Sequence, residues 1–261
     1  MKSQRQYWET TSRKWQGEQP QRLWRQHSDA VNLALLQLWW PDEPVESVLK
    51  TDLFDEVFGA GLYPFMHSKT RTVSGIDISE SNVFAARMRY PALQTAVADV
   101  RSLPFGSDTF DLIVSNSTLD HFETAGDISV AVGELYRVLR PGGQLVLTLD
   151  NLRNPKIALR QALPFRLLHA LGLAPYFMGS TLGPRGLCRE VHQAGFQVID
   201  TAVVMHCPRV IAVAIASLLQ RHAGYPAQQR FLRSLMAFEK LSCLPTRSFT
   251  GHFVAVRAVK P

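Results

Sequence analysis

Between residues 72 and 151 the chain repeats one construction four times. TVSGIDIS, VADVRSLPF, FDLIVSNSTLDHF and ELYRVLRPGGQLVLTLDN follow one another, each placing a short apolar run ahead of a cluster of polar residues. The apolar runs at 72–76, 94–98, 110–115 and 144–149 have strand length. The stretches at 80–90 and 125–139 carry helical spacing, the first stopped by Pro91, and Pro141-Gly142-Gly143 makes the turn into the last strand. Apolar strands alternating with helices need helices on both faces of a mostly parallel sheet. The expected fold is therefore α/β, a Rossmann-like doubly wound sheet whose polar strand ends gather along one edge.

The flanking segments extend this frame. A first strand is expected at 45–51 and a helix running to His67. The alternation continues through a helix at 182–193 and a strand at 196–205, and 251–259 supplies a seventh strand. Leu23, Trp24, His27, Val31, Leu35, Leu38 and Trp39 recur at helical spacing before Pro41, and all five tryptophans fall within the first 40 residues. Residues 1–44 are thus an N-terminal helical segment, and 45–261 form the main domain. Two stretches, about 152–181 and 208–250, exceed what the sheet requires and leave it near strand ends, as a cap would.

At 261 residues and 46% hydrophobic content, the chain can bury one large core. Cys188, Cys207 and Cys243 are odd in number and lack CxxC spacing, which argues against a disulfide framework and against a metal site. The N-terminus has no apolar stretch of leader type, and the apolar run at 202–219 is interrupted by His206, Pro208 and Arg209. A cytoplasmic location follows as the expectation. Charge is uneven: residues 151–250 hold 12 Lys+Arg against 3 Asp+Glu, a balance of +9, leaving 16 against 19, or −3, elsewhere. A basic half points to an anionic partner or a membrane surface.

The ordered set of strand ends, with LPF after the third strand and RVLRPGG before the fifth, resembles the class I S-adenosylmethionine-dependent methyltransferases, in their small-molecule, type 11-like branch. The resemblance implies S-adenosyl-L-methionine as cofactor. It also implies an antiparallel last strand and an N-terminal helix that closes over the cofactor. Asp77, followed by Ile78, ends the second strand, where a carboxylate can accept from both ribose hydroxyls. Ser79 is available as the cap of the next helix. By resemblance, Asp99 with Val100 meets adenine, and Asn116 and Ser117 line the floor between cofactor and acceptor.

The first loop departs from the family pattern. Most members carry an acidic residue followed by GxGxG; here Lys50-Thr51-Asp52-Leu53-Phe54-Asp55-Glu56 stands instead. Two registers compete. A strand ending at Glu56 would let FGAG imitate the glycine turn, but DLFDE would then be a buried strand with unpaired carboxylates. The register with the strand at 45–51 makes DLFDE the loop and puts Gly59 and Gly61 in the following helix. Cofactor contacts in that register are Lys50, Thr51, Asp52 and Leu53, with Asp52 or Asp55 on the methionine ammonium and Lys50 or Thr51 fixing the loop. Carboxylates at this helix start would repel a pyrophosphate and suit an ammonium and a sulfonium. The alternative is a loop whose cofactor binding has decayed.

Methyl transfer depends on alignment and exclusion of water, with a base needed for weakly acidic acceptors. His121 is the candidate base and Asp120 its orienting partner; the competing reading is a histidine packed under the cofactor. His206, Tyr176 and His27 are the candidate acceptor contacts. Aliphatic cap segments such as PKIALRQALPFRLLHALGL and VIAVAIASLL point to an apolar or amphiphilic small-molecule acceptor and to possible peripheral contact with a membrane. Nucleic acid is not expected, because the basic half lacks interleaved aromatics. A nucleic-acid or protein methyltransferase, and a non-catalytic module of the same fold, are the alternatives.

Overall fold

The computed structural model describes residues 4–18, 21–170 and 177–261. Among these, seven strands form one sheet: β1 (Ser47–Lys50), β2 (Thr72–Asp77), β3 (Gln94–Val97), β4 (Phe110–Asn116), β5 (Leu139–Asp150), β6 (Gln197–Val204) and β7 (Phe253–Val259), in the order β3-β2-β1-β4-β5-β7-β6. The first five pair in parallel; β7 lies antiparallel between β5 and β6. The Rossmann-like expectation holds, including the hand of the last strand.

Twelve helices accompany the sheet in the described residues. In chain order they are α1 (Gln4–Glu18), α2 (Arg22–Leu38), α3 (Phe54–Phe58), α4 (Tyr63–Lys69), α5 (Glu80–Arg89), α6 (Ala125–Val138), α7 (Pro155–Ala162), α8 (Phe165–Ala170), α9 (Pro184–Gln193), α10 (Arg209–His222), α11 (Tyr225–Ala237) and α12 (Arg247–Thr250). Their starts follow local chemistry. Ser79 and Thr124 accept the amide protons of Asn82 and Asp127 at the heads of α5 and α6, and Asn154 caps α7 through the amide of Lys156.

One face of the sheet is covered by α6 and α9, whose Leu135, Val138, Leu187 and Val191 pack with Ile113, Leu147 and Val256. The other is covered by α2, α4 and α5, where Leu36, Met66 and Ala86 meet Val48, Val73 and Leu112. Leu49, Leu112 and Ile113 are fully buried, and each such side chain contributes about 1.5–3 kcal/mol of burial. A third cluster joins Leu23, Trp24 and Val31 of α2 to Cys207, Ala212, Ala216 and Leu235, so α10 and α11 rest on α2. No helix among the described residues is long and apolar enough to cross a membrane.

Two expectations about the first loop are corrected. The strand stops at Lys50, and the chain turns helical by Phe54, so Asp55 and Glu56 belong to α3. The single helix expected up to His67 is two. Gly59-Ala60-Gly61 separates them, with Gly61 at φ +64° and its α-carbon so close to Glu56 that a β-carbon would lie 2.4 Å from Oε1.

Candidate active site

The carboxyl ends of β1 to β5 open into a cleft roofed by α1 and α2. Lining it are Thr51, Asp52, Phe54 and Asp55 from the first loop and α3, and Asp77 at the end of β2 with Ile78 and Asn82 beyond it. Asp99 and Val100 follow from beyond β3, and Asn116 at the end of β4 with Ser117, Thr118 and His121 beyond it. Thr148 and Asp150 come from β5, and Gln4, Trp8, Trp15, Trp24 and Arg25 from above.

Asp77 sits where the sequence places it. Its Oδ2 accepts from the Leu53 amide (3.1 Å) and Asn82 Nδ2 (3.0 Å), and Oδ1 accepts from the Ser79 amide (2.8 Å). A carboxylate oxygen has two lone pairs, so capacity remains on Oδ1 for a ligand hydroxyl. Burial pushes the Asp77 carboxyl up to about 6, with the nearby charge of Asp52 adding to the effect. Asp99 also lines the cleft, but its carboxylate is bound by Arg101 (Nη2 to Oδ2, 2.6 Å), which reaches on to Asp127 and to Gln4 of α1.

The first loop is built from side chains where the family uses glycine. Lys50 is buried, and its ammonium meets Glu56 at 2.9 Å, the Asp52 carbonyl at 2.8 Å and the Asp52 carboxylate at 3.3 Å. Burial opposes that charge, but Asp52, Glu56 and Asp55 outweigh it and hold the ammonium above its ordinary value. Glu56 Oε1 accepts the amides of Leu62 and Tyr63, and Asp29 Oδ2 accepts those of Ala60 and Gly61. The backbone donors of the FGAG turn are thereby used inside the protein. Thr51 bonds Ser115 and Thr118, and Thr118 bonds Asp52 (3.2 Å), which also accepts the Phe54 amide.

Several expected contacts are corrected. Lys50 lies beneath the loop rather than in the cleft, because the fully buried Glu56 draws its ammonium inward. Leu53 is also absent from the lining: its side chain is fully buried in the core, and its amide steadies Asp77. His206 is buried at the end of β6 with its ring held between Thr250 Oγ1 (2.7 Å) and the Val203 carbonyl (2.9 Å), so it fixes the cap and does not face the cleft. His27 is buried behind the wall, 3.4 Å from Cys207 Sγ, and burial lowers it to about 4. Tyr176 lies outside the described residues.

His121 does line the cleft, in a 3-10 turn (Leu119–His121), with its ring 4.6 Å from that of Trp8. Its Nε2 is 3.7 Å from Asp120 Oδ1, too long for a hydrogen bond. Asp120 is buried and its Oδ2 accepts from Ser117 Oγ (2.7 Å) and the Asp150 amide (2.9 Å). Burial raises its carboxyl, and the charge of Asp150 adds to that. Asp120 therefore ties β4 to β5. Ser117 has φ +47°, a left-handed conformation that turns the chain sharply into the cleft.

Arg25 of α2 and a polar cluster around Asp150 complete the site. Arg25 is buried, paired with Asp55 at 3.2 Å, and enclosed by Phe54 (4.4 Å), Trp15 (5.0 Å) and Phe58 (5.5 Å). Its Nε has no hydrogen-bond partner among the described residues. The signal was available as Arg25 on the amphipathic N-terminal helix, but nothing in the spacing aimed it at the loop. Across the cleft, buried Asp150 meets Arg160 of α7 (2.5 Å) and His252 (3.2 Å), and His252 meets Arg209 (2.6 Å). Burial alone would raise Asp150, but His252 and Arg160 outweigh it and hold the carboxyl below the usual range.

Comparison with known proteins agrees with this geometry. Residues 58–147 match the profile of a family described as a methyltransferase domain. A probable S-adenosylmethionine-dependent methyltransferase of Mycolicibacterium smegmatis is 29% identical over 169 residues, 65% of this chain and 57% of that protein. A malonyl-[acyl-carrier protein] O-methyltransferase of Salmonella typhimurium is 33% identical over 100 residues, 36% of this chain and 39% of its own. The chain thus spans little more than half the length of the first of these relatives and less of the second. Phosphoethanolamine N-methyltransferase 2 of Haemonchus contortus, solved in complex with S-adenosyl-L-methionine, superposes with a TM-score of 0.58 at 19% identity over 88% of this chain and 52% of that one. At that identity the likeness is one of fold. Residues 58–147 thus carry a methyltransferase domain, within a chain whose fold is that of the S-adenosylmethionine-dependent methyltransferases.

Proposed function

We propose that the protein transfers a methyl group from S-adenosylmethionine to a small apolar or amphiphilic acceptor. The observation that carries the cofactor half is the meeting, in one cleft, of a buried arginine and a loop of carboxylates. Arg25 would offer its guanidinium to a ligand carboxylate, and Asp52 and Asp55 face the same space, where they suit an ammonium. Asp77 retains acceptor capacity for a ribose diol. The residues present therefore fit the cofactor without a glycine loop. When bound, the cofactor supplies an electrophilic methyl on a sulfonium.

The acceptor half rests on the apolar part of the cleft's lining. Trp8, Trp24, Phe122, Met178 and Phe253 supply it, beside Asp150 and Arg209. Such a lining excludes water and rewards an apolar body, while the polar pair orients it. α1 and α2 close the roof, with Gln4 and Trp8 set against the His121 turn. His121 lines the same cleft and would take a proton from an acceptor hydroxyl or amine.

Titration calorimetry with S-adenosylmethionine and its demethylated product tests the first half. Binding of both, weakened by Asp77→Ala by about 10- to 150-fold for the loss of one charged hydrogen-bonding group, is the expected result. Affinity should also fall as pH drops through about 6, where Asp77 gains a proton. Wild-type protein that binds neither ligand is a non-catalytic module. For the second half, acceptors sharing one reactive group should be methylated better as their hydrocarbon portion grows; preference for small polar acceptors refutes the apolar assignment.

A further inference from the structure

α10 and α11 form a hairpin seated on α2, and the outward side of α10 is unusual. At about 100° per residue, its exposed residues Val210, Ile211, Ala214, Ile215, Leu218, Arg221 and His222 fall on one arc, while Ala212 and Ala216 face α2 on the opposite side. Val210 is 67%, Ile211 58%, Ile215 40% and Leu218 59% exposed. Scattered exposed aliphatics are ordinary, but a stripe three turns long is not. Its far end is basic, and α11 adds exposed Tyr225, Arg230 and Arg233. Residues 209–237 contain four arginines and no Asp or Glu.

We propose that this hairpin docks on an anionic lipid bilayer, with the aliphatic arc of α10 entering the interface and Arg221, Arg230 and Arg233 meeting acidic headgroups. Amphipathic helices gain there from apolar insertion and from charge attraction together. A second copy of the chain fits less well. A two-fold contact sets the patch against itself, and no carboxylate in 209–237 would meet the partner's arginines. Nucleic acid would leave the aliphatic arc in water, since base stacking needs aromatic faces. Docking also has a geometric consequence: Arg209, the first residue of α10, lines the cleft, so the bilayer lies at the cleft's rim. The proposal goes beyond the acceptor assignment and does not depend on it.

The test is co-sedimentation of the full chain with phosphatidylcholine vesicles, with and without phosphatidylglycerol, at low and high salt. Binding is expected on the anionic vesicles and should weaken about tenfold or more in high salt as the headgroup attraction is screened. The Ile211→Ser/Ile215→Ser/Leu218→Ser variant should lose binding while keeping its melting temperature and its affinity for S-adenosylmethionine. Arg230→Gln/Arg233→Gln should bind less and respond less to salt. Absence of binding to every vesicle overturns the proposal, as does binding that the triple variant leaves unchanged. A dimer in light scattering that the triple variant dissolves, or retention of tRNA through the same arginines without vesicle binding, overturns it in favour of those partners. Because cofactor affinity is read on the same variants, failure here is distinguishable from failure of the methyltransferase assignment.

Discussion

Replacing Arg25 by Gln isolates the amino-acid end of the cofactor. The guanidinium is enclosed by three aromatic rings and buried, so a carboxylate bound to it is screened little by water. A charge-assisted hydrogen bond is worth about 1.5–3 kcal/mol, which at about 1.4 kcal/mol per decade is a loss of about 10- to 150-fold in S-adenosylmethionine affinity. Methylthioadenosine lacks the amino-acid end and should lose no more than a few-fold. Removing Arg25 also strands Asp55, whose carboxyl burial and Asp52 already raise. The comparison is therefore repeated in Arg25→Gln/Asp55→Asn, where no uncompensated charge remains from the pair. Calorimetry with both ligands reads the difference. Equal losses for the two ligands in both variants would show that Arg25 shapes the loop and does not hold the carboxylate; Asp52→Asn, read with the same pair of ligands, applies the same logic to the ammonium.

Lys50→Met should destabilise the fold by about 3–5 kcal/mol, because Glu56 is left as a buried, unpaired charge; at about 2–4 °C per kcal/mol a thermal melt should fall by roughly 6–20 °C, and Lys50→Met/Glu56→Gln should recover most of it. His121→Ala should lower turnover while leaving cofactor affinity intact if the ring acts as a base, whereas a loss of cofactor binding in calorimetry would assign it to packing against Trp8. His27 is lowered from an ordinary 6.5 to about 4 by burial, so the folded chain binds fewer protons than the unfolded one across that window. Stability should then be full above pH 6.5 and fall by about 3 kcal/mol as pH drops toward 4. Denaturation of His27→Leu measured over the same range should lack that component.

The sheet was legible because its strands are nearly pure apolar runs closed by polar clusters. FDLIVSN and TVSGID admit no other reading once Pro91 and the Pro141-Gly142-Gly143 turn punctuate them. The strand ends put Asp77, Asp99, Asn116 and Ser117 along one edge, since the end of a parallel strand fixes which edge a residue reaches, while the roles of Asp99, Asn116 and Ser117 came from the family resemblance. Contacts made by side chains across the cleft were another matter. Lys50 and Glu56 are six residues apart in a segment with no regular period, so their pairing is a property of the short helix Phe54–Phe58 and not of spacing. Arg25, Arg101 and His27 depend on how α1 and α2 lie over the sheet, whereas His206 is set by Thr250 and the Val203 carbonyl. A polar residue near a strand end, as His206 is, can turn away from the cleft when Thr250 waits there, and one on a helix, as His27 is, can do so when Cys207 does.

α1 deserves a kinetic reading. Glu9 accepts from Ser79 Oγ and the Ser81 amide beyond β2, Gln4 bonds Arg101 beyond β3 and the His121 carbonyl beyond β4, and the Tyr7 hydroxyl accepts the Phe177 amide from the cap. One rigid rod is thus fastened to four separately anchored pieces of chain. Lifting it to let a ligand pass breaks these attachments together, and a single broken attachment leaves the others to return the rod to its place. Weakening any one of them should therefore shorten ligand residence time before it alters the equilibrium shape of the site, and the rate of product departure becomes the quantity that substitutions along this helix tune.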